Sequence, residues 1–213
     1  MGQRTPATLL PFALISGVHL GAKLLGATRV DRATKAALIP ALGIRLIGVR
    51  HHRRRRMALL VIEMMLSWVG DLTIDRSFRT GLTAFLAAHI CMIVLFWSGF
   101  RARVSPWSVL LLPWLLVMML VLRPPRLTVL YPAVVAYATV LAAMAASATR
   151  GGKRMAAGGI LFVISDSLLA FRQFTPWFRS RPWGAVVMAS YLAAQLLLVE
   201  GVVGAPAVQE ARA

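Results

Sequence analysis

The segment Gly158–Phe174, GGILFVISDSLLAFRQF, is apolar along most of its length but carries Asp166 near its middle, between Ser165 and Ser167. An apolar helix of this length is close to what is needed to cross a bilayer. A carboxylate at that depth costs roughly 2.5–3.5 kcal/mol on insertion scales, so such groups usually face the interior of a helix bundle and have a function. The segment therefore predicts a membrane-spanning helix with a functional carboxylate.

A second stretch, Met57–Ile74, MALLVIEMMLSWVGDLTI, has the same character. Its residues Glu63, Ser67 and Asp71 follow one another at intervals of four and therefore share one face of a helix. If the spans alternate in direction, both helices enter the membrane from the same side. Asp71 then lies roughly 21 Å and Asp166 roughly 15 Å along its helix. We expect these two aspartates to be a working pair.

The composition indicates a polytopic membrane protein with a single domain over residues 1–213. The chain is 59% hydrophobic and 15% charged, well below the roughly 25% charge of soluble domains. Its net charge of +17 comes from basic residues in short loops between apolar runs. This distribution favours contact with anionic lipid headgroups over binding of nucleic acid. The single cysteine, Cys91, allows neither an intrachain disulfide nor a thiolate-rich metal site.

The apolar runs predict an all-α bundle of eight transmembrane helices, each near the roughly 20 residues that a bilayer requires. The predicted spans cover about 7–26, 33–49, 57–74, 78–97, 105–122, 127–148, 156–174 and 183–203. An aspartate in the third span of each half, preceded by a serine, suggests two four-helix halves that arose by duplication. A slight excess of basic residues on the side of the termini favours cytoplasmic termini in a bacterial inner membrane.

Other polar residues fall at a depth similar to that of the aspartates. His89 and Tyr191 lie roughly 15 Å in from the side opposite the termini, and Lys35 begins the second span on that side. We therefore expect six side chains to face one cavity in the half of the bundle away from the termini: Lys35, Asp71, His89, Asp166, Tyr191 and Gln195. Glu63 and Glu200 are predicted to lie apart from it, toward the opposite face.

Five short motifs stand in order on the predicted spans: Thr34-Lys35 with Pro40, Ser67-x-x-Gly70-Asp71, Gly81-x-x-x-Phe85-x-x-x-His89, Gly159-x-x-Phe162-x-x-Ser165-Asp166-x-x-Leu169-Ala170, and Tyr191-x-x-x-Gln195. With these motifs the chain resembles, over nearly its whole length, the YhhN-like lysoplasmalogenase family of eight-span membrane hydrolases. The resemblance implies hydrolysis of the vinyl ether bond of lysoplasmalogens, with a fatty aldehyde and a glycerophospho-base as products.

The implied chemistry is acid–base catalysis without a metal or other cofactor. One carboxyl group of the pair Asp71 and Asp166 donates a proton to the vinyl ether, while its ionised partner stabilises the resulting cation or activates water. The resemblance and the depth argument together give six supporting or substrate-binding residues: Lys35, Ser67, His89, Ser165, Tyr191 and Gln195. The expected partners are a lysophospholipid substrate and, at the basic loops, anionic membrane lipids.

Three alternatives remain open at this point. A proton-coupled transporter also places two membrane carboxylates at a repeat interface, and it would move a substrate without releasing aldehyde. A hydrolase of a related lysolipid or ether would use the same pair on another substrate. A non-catalytic lipid-binding protein would tolerate Asp71→Asn and Asp166→Asn.

Overall fold

The computed structural model describes residues 5–47, 54–122, 130–176 and 178–205, and this part of the chain forms helices and no strands. Its eight α-helices are α1 (Thr5–Leu25), α2 (Thr28–Gly43), α3 (Arg54–Thr73), α4 (Phe78–Gly99), α5 (Leu111–Val121), α6 (Tyr131–Ala148), α7 (Lys153–Phe174) and α8 (Arg181–Gly204). Three short 3₁₀ helices adjoin them, at Ile44–Leu46, Pro106–Leu110 and Thr149–Gly151. The all-α prediction is confirmed.

Within the described residues, five helical segments are long and apolar enough to cross a membrane: Ala7–Leu25, Phe78–Gly99, Tyr131–Gly151, Lys153–Phe174 and Arg181–Gly204. Many of their large apolar side chains face outward, as lipid-facing residues do. The finer prediction of eight spans is not confirmed, because α2 has 16 residues, α5 has 11, and α3 begins with three arginines. The chain is therefore a helical membrane protein with at least five helices suited to spanning.

Two predicted helix boundaries are wrong for identifiable reasons. Gly26 adopts a left-handed conformation with φ of 73°, which turns the chain within one residue, so α2 begins at Thr28 and not at 33. In the predicted fifth span, Pro113 has no N–H to donate and its ring clashes with the carbonyl four residues earlier. The preceding turn is accordingly the 3₁₀ helix Pro106–Leu110, and the α-helix starts only at Leu111.

α2 ends at Gly43 and is followed by the 3₁₀ helix Ile44–Leu46, whereas the predicted second span runs to 49. The remaining helix ends agree with the predicted spans to within about one helical turn. Some predictions lie outside the described residues, namely 48–49 of the second span, the basic loop at 50–53 between the second and third spans, and 127–129 of the sixth span.

The helices form a closed ring with one helix outside it. Packing runs from α1 through α2, α3 and α4 to α6, α7 and α8, and α8 packs back against α1. Within the ring α3 also contacts α8, and α5 packs on the outside against α6. Consecutive helices pack together in both four-helix halves, while the duplication itself stays a prediction.

Small residues allow the closest approaches between helices. A Cβ added to Gly81 on α4 would lie 2.5 Å from Cα of Ile74, just past the end of α3. A Cβ on Gly159 of α7 would lie 3.0 Å from Cα of Ala145 on α6. Backbones in contact through small residues are the usual packing mode of membrane helices, because lipid provides no hydrophobic force to drive helices together.

Several basic side chains stabilise the end of the bundle where α1 begins. The Arg56 guanidinium donates to the Gly99 carbonyl and lies 4.3 Å from the centre of the Phe100 ring. Arg150 donates to the Phe100 carbonyl at 2.7 Å and stacks on Trp97. These arginines satisfy carbonyls at the C-terminal end of α4 that have no partner within the helix. The prediction that basic loops contact anionic lipid therefore applies to the remaining basic residues.

Candidate functional site

The first aspartate lies between α3 and α8 near the centre of the ring. Asp71 is 4% exposed, and its Oδ2 accepts a hydrogen bond of 2.7 Å from the Tyr191 hydroxyl. Its neighbour Gly70 is also buried on α3. A Cβ added to Gly70 would lie 2.7 Å from the Phe85 ring. The absence of a side chain at position 70 thus lets Phe85 of α4 pack beside the Asp71 carboxylate.

The second aspartate lies on α7 among side chains of α4 and α6. Asp166 Oδ2 accepts a short hydrogen bond from the Tyr137 hydroxyl, and His89 Nε2 lies 3.4 Å from the same oxygen. His89 Nε2 also lies 3.0 Å from the Tyr137 hydroxyl, so the three groups form one network. The Asp166 side chain keeps 12% of its surface exposed. Each aspartate of the predicted pair is therefore oriented by one tyrosine hydroxyl.

A group of aromatic rings separates the two aspartate–tyrosine pairs. The Phe162 ring meets His89 edge-on at 4.9 Å and Tyr191 at 5.5 Å between ring centres. Phe85 meets Tyr191 in the same way at 6.0 Å. Edge-to-face contacts of this kind favour defined ring orientations. They hold the tyrosine and histidine side chains in the positions from which they reach the carboxylates.

Both aspartates line one cavity, which we call the polar cavity. It encloses about 600 Å³ of atom-free space including its open mouth. It lies at the end of the bundle where α3 ends and α8 begins, opposite to the beginning of α1. Five of the eight predicted site residues line it: Lys35, Asp71, Ser165, Asp166 and Tyr191. Its lining also contains Lys23, Asp75 and Arg172, which sequence reasoning did not assign to the site.

The three cations of the polar cavity have different partners. Lys35 Nζ lies 2.7 Å from Oδ2 of Asp75, whose side chain is 75% exposed. Lys23 Nζ lies 3.1 Å from Asp31. Arg172 Nη1 donates to two backbone carbonyls of the α7–α8 connection, at 2.7 and 2.8 Å. In the described part of the chain, no carboxylate forms an ion pair with Arg172.

Three of the predicted supporting residues have partners other than the aspartates. Ser67 Oγ donates to Glu63 Oε1 at 2.8 Å, and Gln195 Nε2 donates to the same oxygen at 3.1 Å. Gln195 lies one helical turn beyond Tyr191, which places it at the level of Glu63 and not of Asp71. Ser165 lines the polar cavity, but its hydroxyl donates to the Val187 carbonyl and ties α7 to α8. Because Gln195 lies at the level of Glu63, it does not line the polar cavity, whereas the sequence predicts that it faces the same cavity as the two aspartates.

His89 contacts Asp166 but does not line the polar cavity. The His89 side chain is only 1% exposed and lies behind Asp166 as seen from the cavity. Glu200 lies apart, as predicted, and pairs with Arg45 toward the other end of the bundle. Sequence reasoning missed Tyr137, although a tyrosine within the apolar sixth run was a visible signal. Its role depends on α6 packing beside α4, which no local pattern specifies.

Among residues 5–47, 54–122, 130–176 and 178–205, no group of three or more His, Cys, Asp or Glu side chains can hold a metal ion.

Comparison with known proteins gives one match. The family model described as the YhhN family matches residues 30–202, a range that begins within α2, ends within α8 and includes both aspartates. No curated protein and no solved structure matches the chain.

Proposed function

The chain belongs to the YhhN family, and from this premise we propose that it is a membrane hydrolase that cleaves the vinyl ether bond of lysoplasmalogens. Membership of the family supports a lysoplasmalogenase-type activity. The observation that carries the proposal is the pair Asp71 and Asp166, which α3 and α7 bring to one cavity inside an apolar bundle. Intramembrane carboxylates are costly and are usually functional.

The proposed reaction needs only water and the two carboxyl groups. One carboxyl donates a proton to the β-carbon of the vinyl ether, which leaves an oxocarbenium ion that the ionised partner stabilises. Water adds to this ion, and its proton is taken up by the carboxylates. The hemiacetal then breaks its bond to the glycerol oxygen, which is protonated. The sum is one vinyl ether and one water converted into a fatty aldehyde and a glycerophospho-base.

The tyrosines and the histidine have positioning roles in this proposal. Tyr191 and Tyr137 each donate to one aspartate, so the other carboxylate oxygen remains available to the substrate or to water. His89 keeps the Tyr137–Asp166 arrangement in place through its contacts with both groups. The contribution of Lys35 is electrostatic, because its ammonium group lines the same cavity as both aspartates.

The test is aldehyde release from lysoplasmenylcholine and lysoplasmenylethanolamine by the purified protein in detergent. We expect release by the unaltered protein and its loss in Asp71→Asn and Asp166→Asn. The matched control is Glu200→Gln, which neutralises an acidic residue outside the polar cavity and should retain activity. Full activity in either aspartate variant would contradict the proposal that Asp71 and Asp166 act together in the reaction. Absence of aldehyde from the folded protein, with substrate uptake in vesicles, would favour the transporter.

A further inference from the structure

The polar cavity adjoins a second one of opposite character, and Asp166 belongs to both. The second, which we call the apolar cavity, lies between α4, α6 and α7 and has about 390 Å³ of atom-free space including its open mouth. Its lining includes Phe78, Leu82, Val134, Tyr137, Ala170 and Phe174. Among the described residues that line it, only Asp166 and Tyr137 carry polar groups in their side chains. Ile74, Phe85 and Leu169 also line the polar cavity, so the two cavities adjoin each other at these residues and at Asp166.

The polar cavity is suited to an anionic group at its outer end. Lys35 and Lys23 are already paired with carboxylates. Arg172 uses Nη1 for backbone carbonyls, which leaves the donors on Nε and Nη2 for a ligand. The guanidinium of Arg172 packs over Gly184 of α8, where an added Cβ would lie 3.3 Å from Nη2. Arginine binds phosphate well because its planar donors match two phosphate oxygens.

The spacing of these features matches a single-chain phospholipid. In a lysoplasmalogen, seven bonds separate the phosphorus from the β-carbon of the vinyl ether, an extended span of about 9 Å at roughly 1.25 Å per bond. Arg172 follows Asp166 by six residues on α7, a rise of about 9 Å along the helix. The vinyl ether is also the junction between headgroup and hydrocarbon, as Asp166 is the junction between the two cavities.

Resting on the proposed function, we infer that the site holds its substrate in one orientation. Arg172 binds the phosphate of the lysophospholipid, the apolar cavity between α4, α6 and α7 takes the hydrocarbon chain, and the vinyl ether lies at Asp166. The phosphate then sits near the end of the bundle, and the chain lies between α4, α6 and α7. Specificity follows from both cavities, since a ligand that lacks either part loses one set of contacts.

The phosphate contact is tested by binding alone, with a saturated alkyl-ether lysophosphatidylethanolamine that the reaction cannot cleave. Arg172→Gln should bind it about tenfold more weakly or worse, the loss of one or more charge-assisted hydrogen bonds. Arg172→Lys should recover part of the affinity, and Arg179→Gln, at an exposed arginine in the same connection, should bind normally. An alkylglycerol without phosphate should bind equally to all four proteins. Unchanged affinity in Arg172→Gln would overturn the assignment.

The chain contact is tested by filling the apolar cavity. Ala170→Leu and the smaller change Ala170→Val should weaken binding of long-chain lysolipids progressively while leaving short-chain ones unaffected. Ala157→Leu, on an exposed position of the same helix, is the control and should show no dependence on chain length. An equal loss for all chain lengths in both Ala170 variants would refute the proposed site for the chain.

These outcomes separate the inference from the proposed function. Aldehyde release tests the reaction, whereas binding of the uncleavable lipid tests the orientation. Binding that depends on Arg172 and Ala170 without any aldehyde release would retain the lipid site and reject the reaction. Aldehyde release, together with lipid binding that is unchanged in the Arg172 and Ala170 variants, would retain the reaction and reject the lipid site.

Discussion

Removal of the hydroxyl group of Tyr191 is a direct test of the site at the centre of the ring. In Tyr191→Phe the ring keeps its contacts with Phe85 and Phe162, while Asp71 loses a hydrogen bond of 2.7 Å in a fully buried setting. A buried polar group left without its partner costs about 1–3 kcal/mol. We therefore expect the free energy of unfolding to fall by that amount.

The measurement is unfolding by SDS titration in mixed micelles, followed by circular dichroism. A double-mutant cycle with Asp71→Ala isolates the pair, and groups in direct hydrogen-bond contact usually show a coupling energy of about 0.5–3 kcal/mol. Tyr131→Phe is the matched control, because its hydroxyl makes only a 3.3 Å contact to the Met119 carbonyl near the edge of the bundle. A coupling energy near zero, or an equal loss in Tyr131→Phe, would refute the proposed role of Tyr191.

Two further predictions concern stability. Glu63 Oε2 and Gln195 Oε1 are buried and have no hydrogen-bond partner among the residues that the structure describes. Glu63→Gln should therefore be tolerated, because the new amide N–H can donate to Gln195 Oε1, whereas Glu63→Ala should lower the free energy of unfolding by about 2–4 kcal/mol. An equal drop of the melting temperature in both variants would contradict this. Gly81→Ala should lower the free energy of unfolding by about 1–3 kcal/mol or more, because the new methyl group would lie 2.5 Å from Cα of Ile74. Gly17→Ala, with no atom within 4 Å of its added Cβ, should not lower the melting temperature.

The depth of the two aspartates could be predicted from the sequence because depth depends on local geometry alone. A fixed rise per residue and alternating helix directions place Asp71 and Asp166 at similar levels whatever the lateral arrangement of the helices. The same reasoning places Lys35 at the beginning of the second span, in the half of the bundle away from the termini. All three line the polar cavity.

The lateral partners could not be predicted, because they depend on which helices become neighbours. Tyr137 reaches Asp166 only because α6, and not α5, closes the ring beside α4. Gln195 was expected at the cavity on the basis of its spacing from Tyr191, but a single turn of α8 was enough to bring it to Glu63 instead. Rotation about the helix axis is set by side-chain packing between distant segments, and no single-helix pattern contains it.

The position of α5 outside the ring divides the protein into two units of stability. Toward its C-terminal end, Met118 and Leu122 form a separate cluster with Val134 of α6, whereas Leu111 at its start belongs to the main core. Trp114 adds one hydrogen bond to Ser167 of α7. Parts of a protein with few buried contacts open locally at a lower free energy than the whole. We therefore expect the C-terminal part of α5 to open locally at a lower free energy than the ring, which hydrogen exchange of its amides would show. Because Val134 also lines the apolar cavity, such local opening would uncover the outer wall of that cavity while Asp71 and Asp166 keep their tyrosine partners.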